Sequence, residues 1–152
     1  MIRLTRQADY GIVILTHYAQ SPAATTCNAR ELAKDVHIPL PMVSKTLKAL
    51  GRAGLLVSHR GAKGGYSLAR DPEEITVSDI ITAIEGPIGM TECTGTDEHS
   101  CTLESTCSVR TNWQVINRVV LDALRRITLA QMASPMPRPL FIPPSLRSGV
   151  SS

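Results

Sequence analysis

Three of the chain's four cysteines, Cys93, Cys101 and Cys107, fall within fifteen residues, separated by seven and then five positions, in a segment of Gly, Thr, Ser and acids too polar to pack. Thiolates are the ligands that iron and zinc take in soft sites, and iron–sulfur clusters are held by cysteine, in some cases with one non-cysteine ligand. Three thiolates leave one coordination position open. Elements on either side of such a loop would feel whether a metal is present, oxidised or lost, which makes the segment a candidate switch. His99 stands between the first two cysteines and would complete a set of three cysteines and one histidine for zinc. Neither gap, however, has the short spacing that structural zinc sites favour. Unmetallated or redox-paired thiols are the third option. A structural disulfide suits a secreted domain, but the opening MIRLTRQADYGIVILTHYAQ lacks the basic, apolar and small-residue succession of a signal peptide, and no stretch approaches a membrane span. The expected setting is cytoplasmic, where structural disulfides are rare. Cys27, outside the trio, reads as a small buried residue at the start of a helix.

The net charge of +3 over 152 residues conceals a steep asymmetry. Residues 1–70 hold ten Lys or Arg against three acids, residues 71–107 hold nine acids and no Lys or Arg, and residues 108–152 hold six Arg and one acid. A head this basic suggests a polyanion partner. The acidic middle coincides with the cysteine loop, so no basic patch activates its thiols, which argues against a nucleophilic cysteine enzyme. No paired carboxylates, triad or phosphate loop can be assembled elsewhere. The run GAKGG at residues 61–65 lacks the Gly-Lys-Ser/Thr ending and the strand-to-helix setting of a nucleotide-binding loop. The chain is therefore not expected to be an enzyme. Its length is that of one domain, or a small domain with an appendage, and with only five aromatic residues its core must be mostly aliphatic.

The elements that must position these residues follow from period and punctuation. Leu4–Gln20 reads as a helix capped by Thr5, with Ala8, Ile12, Leu15 and Ala19 on one stripe. Asp9 lies in its first turns, where the helix dipole favours an acid. Asn28 and Glu31 form a box-like start for a short helix over Ala29–Val36; His37, Ile38 and Pro39 break it. A second helix follows from about Pro41 to Ala53, burying Val43, Leu47 and Leu50 and turning Ser44, Lys45, Lys48 and Arg52 outward. Two short helices joined by a tight turn, the second basic, form the helix-turn-helix pattern. Gly54 ends the pair, and strands at Leu55–Arg60 and Tyr66–Arg70 flank a glycine-rich turn, so a hairpin wing carries Arg60 and Lys63 at its tip. Thr76 and Asp79 open a helix that runs to Glu85, stopped by Gly86-Pro87. A long helix over Val109–Ile127 has an apolar stripe of Trp113, Ile116, Val120, Ala123 and Ile127, widened by Val119 and Leu124. Little of the chain remains to cover it, which points to a partner subunit. A last short helix is expected at Thr128–Met132, and five of the ten prolines lie between Pro135 and Pro144, in a tail expected to be disordered.

The opening RLTRQADYG, the helix pair ending in LKALGRAGLLVSHRGAKGGYSLAR, the helix ITVSDIITAIEG and the three cysteines, together and in this order, resemble the Rrf2 family of winged-helix transcription regulators over about residues 1–133. Within it the chain is most similar to the regulators associated with SUF-type iron–sulfur assembly. The resemblance implies a homodimeric DNA-binding regulator with one iron–sulfur cluster per subunit beside the partner's DNA-binding head. IscR-like members place a histidine three positions after the third cysteine; here that position is Arg110, which cannot ligate. NsrR-like members use an acid in the first helix of the other subunit, which matches Asp9. Asp9 is then the leading fourth ligand, with His99, water or a small thiol as alternatives.

The expected fold is mainly α with a small β-hairpin wing. It comprises a winged helix-turn-helix domain at residues 1–86, a cluster-binding cysteine loop at 87–108, a dimerisation helix at 109–133 and a tail at 134–152. The expected function is a cytoplasmic regulator, a repressor of double-stranded operators. A 2Fe-2S or 4Fe-4S cluster on Cys93, Cys101, Cys107 and Asp9 would sense cluster supply, oxygen or nitric oxide. Lys45, Lys48 and Arg52 would approach the major groove or its flanking phosphates, Ser44 a base edge and Arg60 the minor groove, with Lys63 beside it at the wing tip, where a long cation can approach a phosphate or enter the minor groove. Two alternatives are an iron–sulfur carrier, which has no need of a cationic wing, and a zinc-stabilised DNA-binding protein without sensing.

Overall fold

The computed structural model describes residues 3–21, 25–91, 94 and 106–135; Cys93, His99, Cys101 and most of the proline-rich tail lie outside these. Six helices, α1 (Arg6–Gln20), α2 (Ala29–Asp35), α3 (Leu40–Arg52), α4 (Val77–Glu85), α5 (Arg110–Arg125) and α6 (Leu129–Ala133), and one hairpin, β1 (Leu56–His59) with β2 (Gly65–Leu68), make up the described elements. The mainly helical fold with a small wing is the expected one.

Helix starts follow the caps. Thr5 is extended and its hydroxyl accepts from Ala8 N–H at 3.2 Å, so α1 begins at Arg6 rather than at Leu4. Asn28 and Glu31 form the predicted box on α2, and Thr76 with Asp79 forms the one on α4. A further box, Thr128 with Gln131, opens α6 and moves its start to Leu129. His37, at φ 56°, takes the left-handed turn that redirects the chain from α2 into α3.

The core lies where α1, α3 and α4 meet, with Leu15, Leu32, Leu47, Leu50, Ile75 and Ile80 fully shielded. α1 and α4 approach closely at Gly11, where an added Cβ would stand 2.6 Å from Ile84 Cδ1. The last described helix folds back: Leu129 of α6 is fully buried, α6 packs on α1, and Gln20 Nε2 donates to Ala133 O at 3.0 Å. Backbone pairing holds this return, since Val77 N–H donates to Ile127 O (2.9 Å) and Leu129 N–H to Ile75 O (2.7 Å). By contrast α5 packs against α4, and Val109, Trp113, Val115, Ile116 and Val119 along it remain 36–62% exposed.

Candidate nucleic-acid interface and cysteine loop

Burial of Val43, Thr46, Leu47 and Leu50 against the core fixes the rotation of α3, which leaves Lys45, Lys48 and Arg52 exposed and Ser44 half-buried on the outer face. Among the described residues none of these cations, nor Arg60 or Lys63, is engaged in an ion pair. The five remain available to an external anion.

The wing is a four-pair antiparallel hairpin running from Leu56 opposite Leu68 to His59 opposite Gly65. Its strands are shorter than the sequence suggests, because Leu55 turns inward to the core, 1% exposed, and Ala69 and Arg70 leave the ladder after Ala69 N–H donates to Leu55 O. At the tip Gly61 adopts φ 112°, and Gly64 N–H donates to Gly61 O at 2.9 Å. Any side chain at Gly64 would strike His59 O at 2.7 Å, so the tip stays thin between exposed Arg60 and Lys63. Ser67 Oγ lies 2.8 Å from His59 Nε2 across the strands.

A bridge not evident in the sequence anchors the wing. Cys27 and Tyr66 exchange both backbone bonds, at 3.1 and 3.0 Å, and Tyr18 Oη also donates to Cys27 O at 3.2 Å. One peptide unit thus joins α1, the start of α2 and the wing. Gly65 packs flat on it; an added Cβ would lie 2.4 Å from Cys27 O. Burial, reinforced by Cys27 and Tyr66, pushes the Tyr18 phenol far above its ordinary range, so it serves as a neutral donor. Burial, with the Glu31 and Asp35 carboxylates, likewise raises the Cys27 thiol. Cys27 is therefore a poor thiolate and acts as a small core residue, as expected.

The cysteine loop leaves α4 at Gly86, which sits at φ 85° while its N–H donates to Thr82 O. It returns at half-buried Cys107, whose carbonyl accepts from Arg110 N–H at 3.4 Å in the first turn of α5. Two bonds fix its entrance: Asn117 Oδ1, 8% exposed on α5, accepts from Met90 N–H at 3.0 Å, and Glu85 Oε1 accepts from Thr5 N–H at 2.8 Å. The start of α1, with Asp9 exposed on its first turn, therefore lies at the mouth of the loop. Arg110 occupies the first position of α5 and brings no ligating group. Within this single chain no hydrogen bond or ion pair joins Asp9 to Cys107, and the described residues hold no group of three potential metal ligands. The proposed ligands Cys93 and Cys101, and the alternative His99, fall outside the described residues.

A helix-turn-helix, a cationic wing and a loop hung between α4 and α5 call for comparison with known proteins. The family model Rrf2, described as an iron-dependent transcriptional regulator, matches residues 4–135. The chain belongs to the Rrf2 family. It is similar to the regulator NsrR of Shouchella clausii, 27% identical over 109 residues, which cover 72% of this chain and 73% of that protein. It is also similar to the regulator IscR of Serratia proteamaculans, 27% identical over 133 residues, which cover 88% of this chain and 80% of that one. Among solved structures it resembles CymR, the global cysteine regulator of B. subtilis, with a TM-score of 0.69 and 28% identity over 90% of this chain and 99% of that one. This Rrf2 protein is thus a DNA-binding helix-turn-helix transcriptional regulator and not an enzyme. Among its described residues no helix is long and apolar enough to cross a membrane.

Proposed function

We propose that this Rrf2 protein is a cytoplasmic, homodimeric repressor whose operator affinity follows the state of an iron–sulfur cluster, 2Fe-2S or 4Fe-4S, held by its cysteine loop. In this reading residues 1–86 form the DNA-binding unit, 87–108 the ligand loop and 109–133 the segment whose α5 pairs the subunits while its α6 packs on α1 of the same chain. Cys93, Cys101 and Cys107 hold the cluster, and Asp9 of the partner subunit closes the set. The donor chemistry fits: three soft thiolates suit iron, and the Asp9 carboxylate is exposed and outside any ion pair among the described residues. When bound, the group supplies one-electron redox chemistry and reactivity toward oxygen or nitric oxide. The residues of the chain do the rest.

The observation that carries the reading is the 2.8 Å bond from Thr5 N–H to Glu85 Oε1, supported by Met90 on Asn117. The first ties the mouth of the loop to α1 and the second ties it to α5, and α1 packs directly on α3, the helix that bears Lys45 and Lys48. Order in the loop is therefore mechanically adjacent to the DNA-reading helix. The exposed Trp113, Ile116 and Val119 on α5 favour a second copy as the covering partner. Of the six residues assigned to DNA, Ser44 would take a base edge, Lys45, Lys48 and Arg52 the phosphates flanking the major groove, and Arg60 with Lys63 the adjacent minor groove. The likeness to a global cysteine regulator favours one second reading, in which the same head answers to cysteine supply without a cluster.

Anaerobic purification followed by absorption spectroscopy and metal analysis tests this. Iron, sulfide and visible charge-transfer absorption are expected, and should be abolished by Cys93→Ala, Cys101→Ala or Cys107→Ala but kept in Cys27→Ala. A colourless protein with stoichiometric zinc overturns the cluster, and a colourless, metal-free protein that binds DNA leaves the second reading.

A further inference from the structure

Helices α1, α2, α4 and α6 each begin at a polar residue whose side chain accepts from the first turn, whereas α3, at Pro39, and α5, at Val109, begin with no side-chain cap. The nose of α3 is apolar: Ile38 is buried, and Pro39, Leu40 and Pro41 are three consecutive exposed apolar residues. Leu40 is 38% exposed. Single exposed apolar residues need no explanation, but a run of three at a helix tip does. The tip is also poor in donors. Pro41 has no N–H, and the Met42 and Val43 N–H groups donate to Pro39 O at 2.9 and 3.1 Å. It is therefore ill suited to hold a phosphate or hydrogen-bond a base.

The surroundings decide what meets this tip. Leu40 and Ser44 stand one turn apart, as do Pro41 and Lys45, so the apolar pair continues the row that carries Lys45, Lys48 and Arg52. α3 has no acid at all. An apolar protein partner finds no counterpart in so cationic a face, but the floor of the DNA major groove does, because the thymine C5-methyl is the apolar group displayed there. In helix-turn-helix docking the first residues of the second helix are the ones that reach base edges. We infer that Leu40 and Pro41 are specificity-determining residues that read a thymine methyl in each half-site. This rests on the reading of α3 as the helix in the groove.

The test uses the full-length protein and a duplex that it enriches from a randomised pool. Each thymine is replaced in turn by uracil, which keeps every hydrogen-bonding group and deletes only the methyl. Wild-type affinity is expected to fall about fourfold at one thymine per half-site, the worth of one buried methyl group. In Leu40→Ala and in Pro41→Ala the same replacement should change affinity less than about twofold, because the surface against which that methyl packed is gone. Leu40 is exposed, so its truncation is not expected to unfold the protein, and circular dichroism checks this. If no uracil substitution weakens the wild type while base-pair changes and Lys48→Ala still do, the methyl reading is wrong and the groove assignment of α3 stands. If the uracil effect persists in both variants, another residue reads the methyl and the inference is likewise overturned. If neither base-pair changes nor Lys48→Ala alter binding, α3 is not in the groove and both readings fall.

Discussion

Cys27 contributes less through its sulfur than through its carbonyl, which accepts from Tyr66 N–H and Tyr18 Oη at once. Gly65 is the residue that permits this, because a methyl group there would lie 2.4 Å from Cys27 O and could not relax without breaking the bridge. Gly65→Ala is expected to cost about 1–3 kcal/mol of stability, the usual range for overpacking, measured by thermal or denaturant unfolding. Because the same bridge orients the wing, the variant should also bind its operator more weakly at a temperature where it is fully folded. An unchanged Tm with unchanged DNA affinity would show that the bridge does not hold the wing. At this scale the sequence was partly legible. A lone cysteine beside a capping Asn reads as small and buried, and so it is. The backbone partner 39 residues away has no local signature, so neither Tyr66 nor Tyr18 stood out. The buried Thr46 has no signature for another reason: it falls on the inner side of α3 between Val43 and Leu47, where periodicity predicts an apolar residue.

Among the elements, capping chemistry located the starts of α1, α2 and α4 to within a residue or two, since a side-chain acceptor three residues ahead of an apolar stripe is a local signal. Strand ends were less legible, because Leu55 looks like strand but its burial draws it into the core. The return of α6 onto α1 was not legible at all, for it depends on Val77 pairing with Ile127 and Ile75 with Leu129 across some fifty residues. The wing and α3 present different anion-binding devices, and their removal should differ. Lys48 lies on an exposed helix face, so Lys48→Ala is expected to weaken all duplexes similarly and lower the slope of log K against log salt by about one. Arg60 stands on a thin glycine turn that can enter a narrow groove, so Arg60→Ala should also lose preference for an A·T-rich flank. Competition titrations with specific and random duplexes separate the two outcomes. An unchanged specific-to-random ratio in Arg60→Ala would remove the minor-groove role.

For the whole molecule the question is whether a site can be completed by one chain. The bond of Thr5 to Glu85 sets the start of α1, and with it Asp9, at the entrance of the loop, yet no hydrogen bond or ion pair joins Asp9 to Cys107 within the chain, and α5 leaves Trp113, Ile116 and Val119 exposed after the loop returns at Cys107. If a second copy covers that stripe and donates its Asp9 to the first loop, as proposed, subunit mixing can distinguish donation across the dimer from donation within a chain. Asp9→Ala subunits keep the three cysteines, and Cys101→Ala subunits keep the carboxylate. In a mixed dimer with donation across the interface, the Asp9→Ala loop receives the carboxylate of its partner, so one complete site is restored. With donation inside each chain no complete site forms. Tandem-tagged heterodimers, purified anaerobically, are therefore expected to regain about half the wild-type absorption, while each variant homodimer lacks the wild-type spectrum. The restored dimer should also recover part of the affinity difference between cluster-bound and cluster-free protein, of about 1–3 kcal/mol when the two states are coupled to DNA binding in the usual range. If Asp9→Ala homodimers already show the wild-type spectrum and oxygen sensitivity, Asp9 is no ligand. Its place on the first turn of α1 then has only the helix dipole to explain it, worth about 0.3–1 kcal/mol of stability and nothing at the loop.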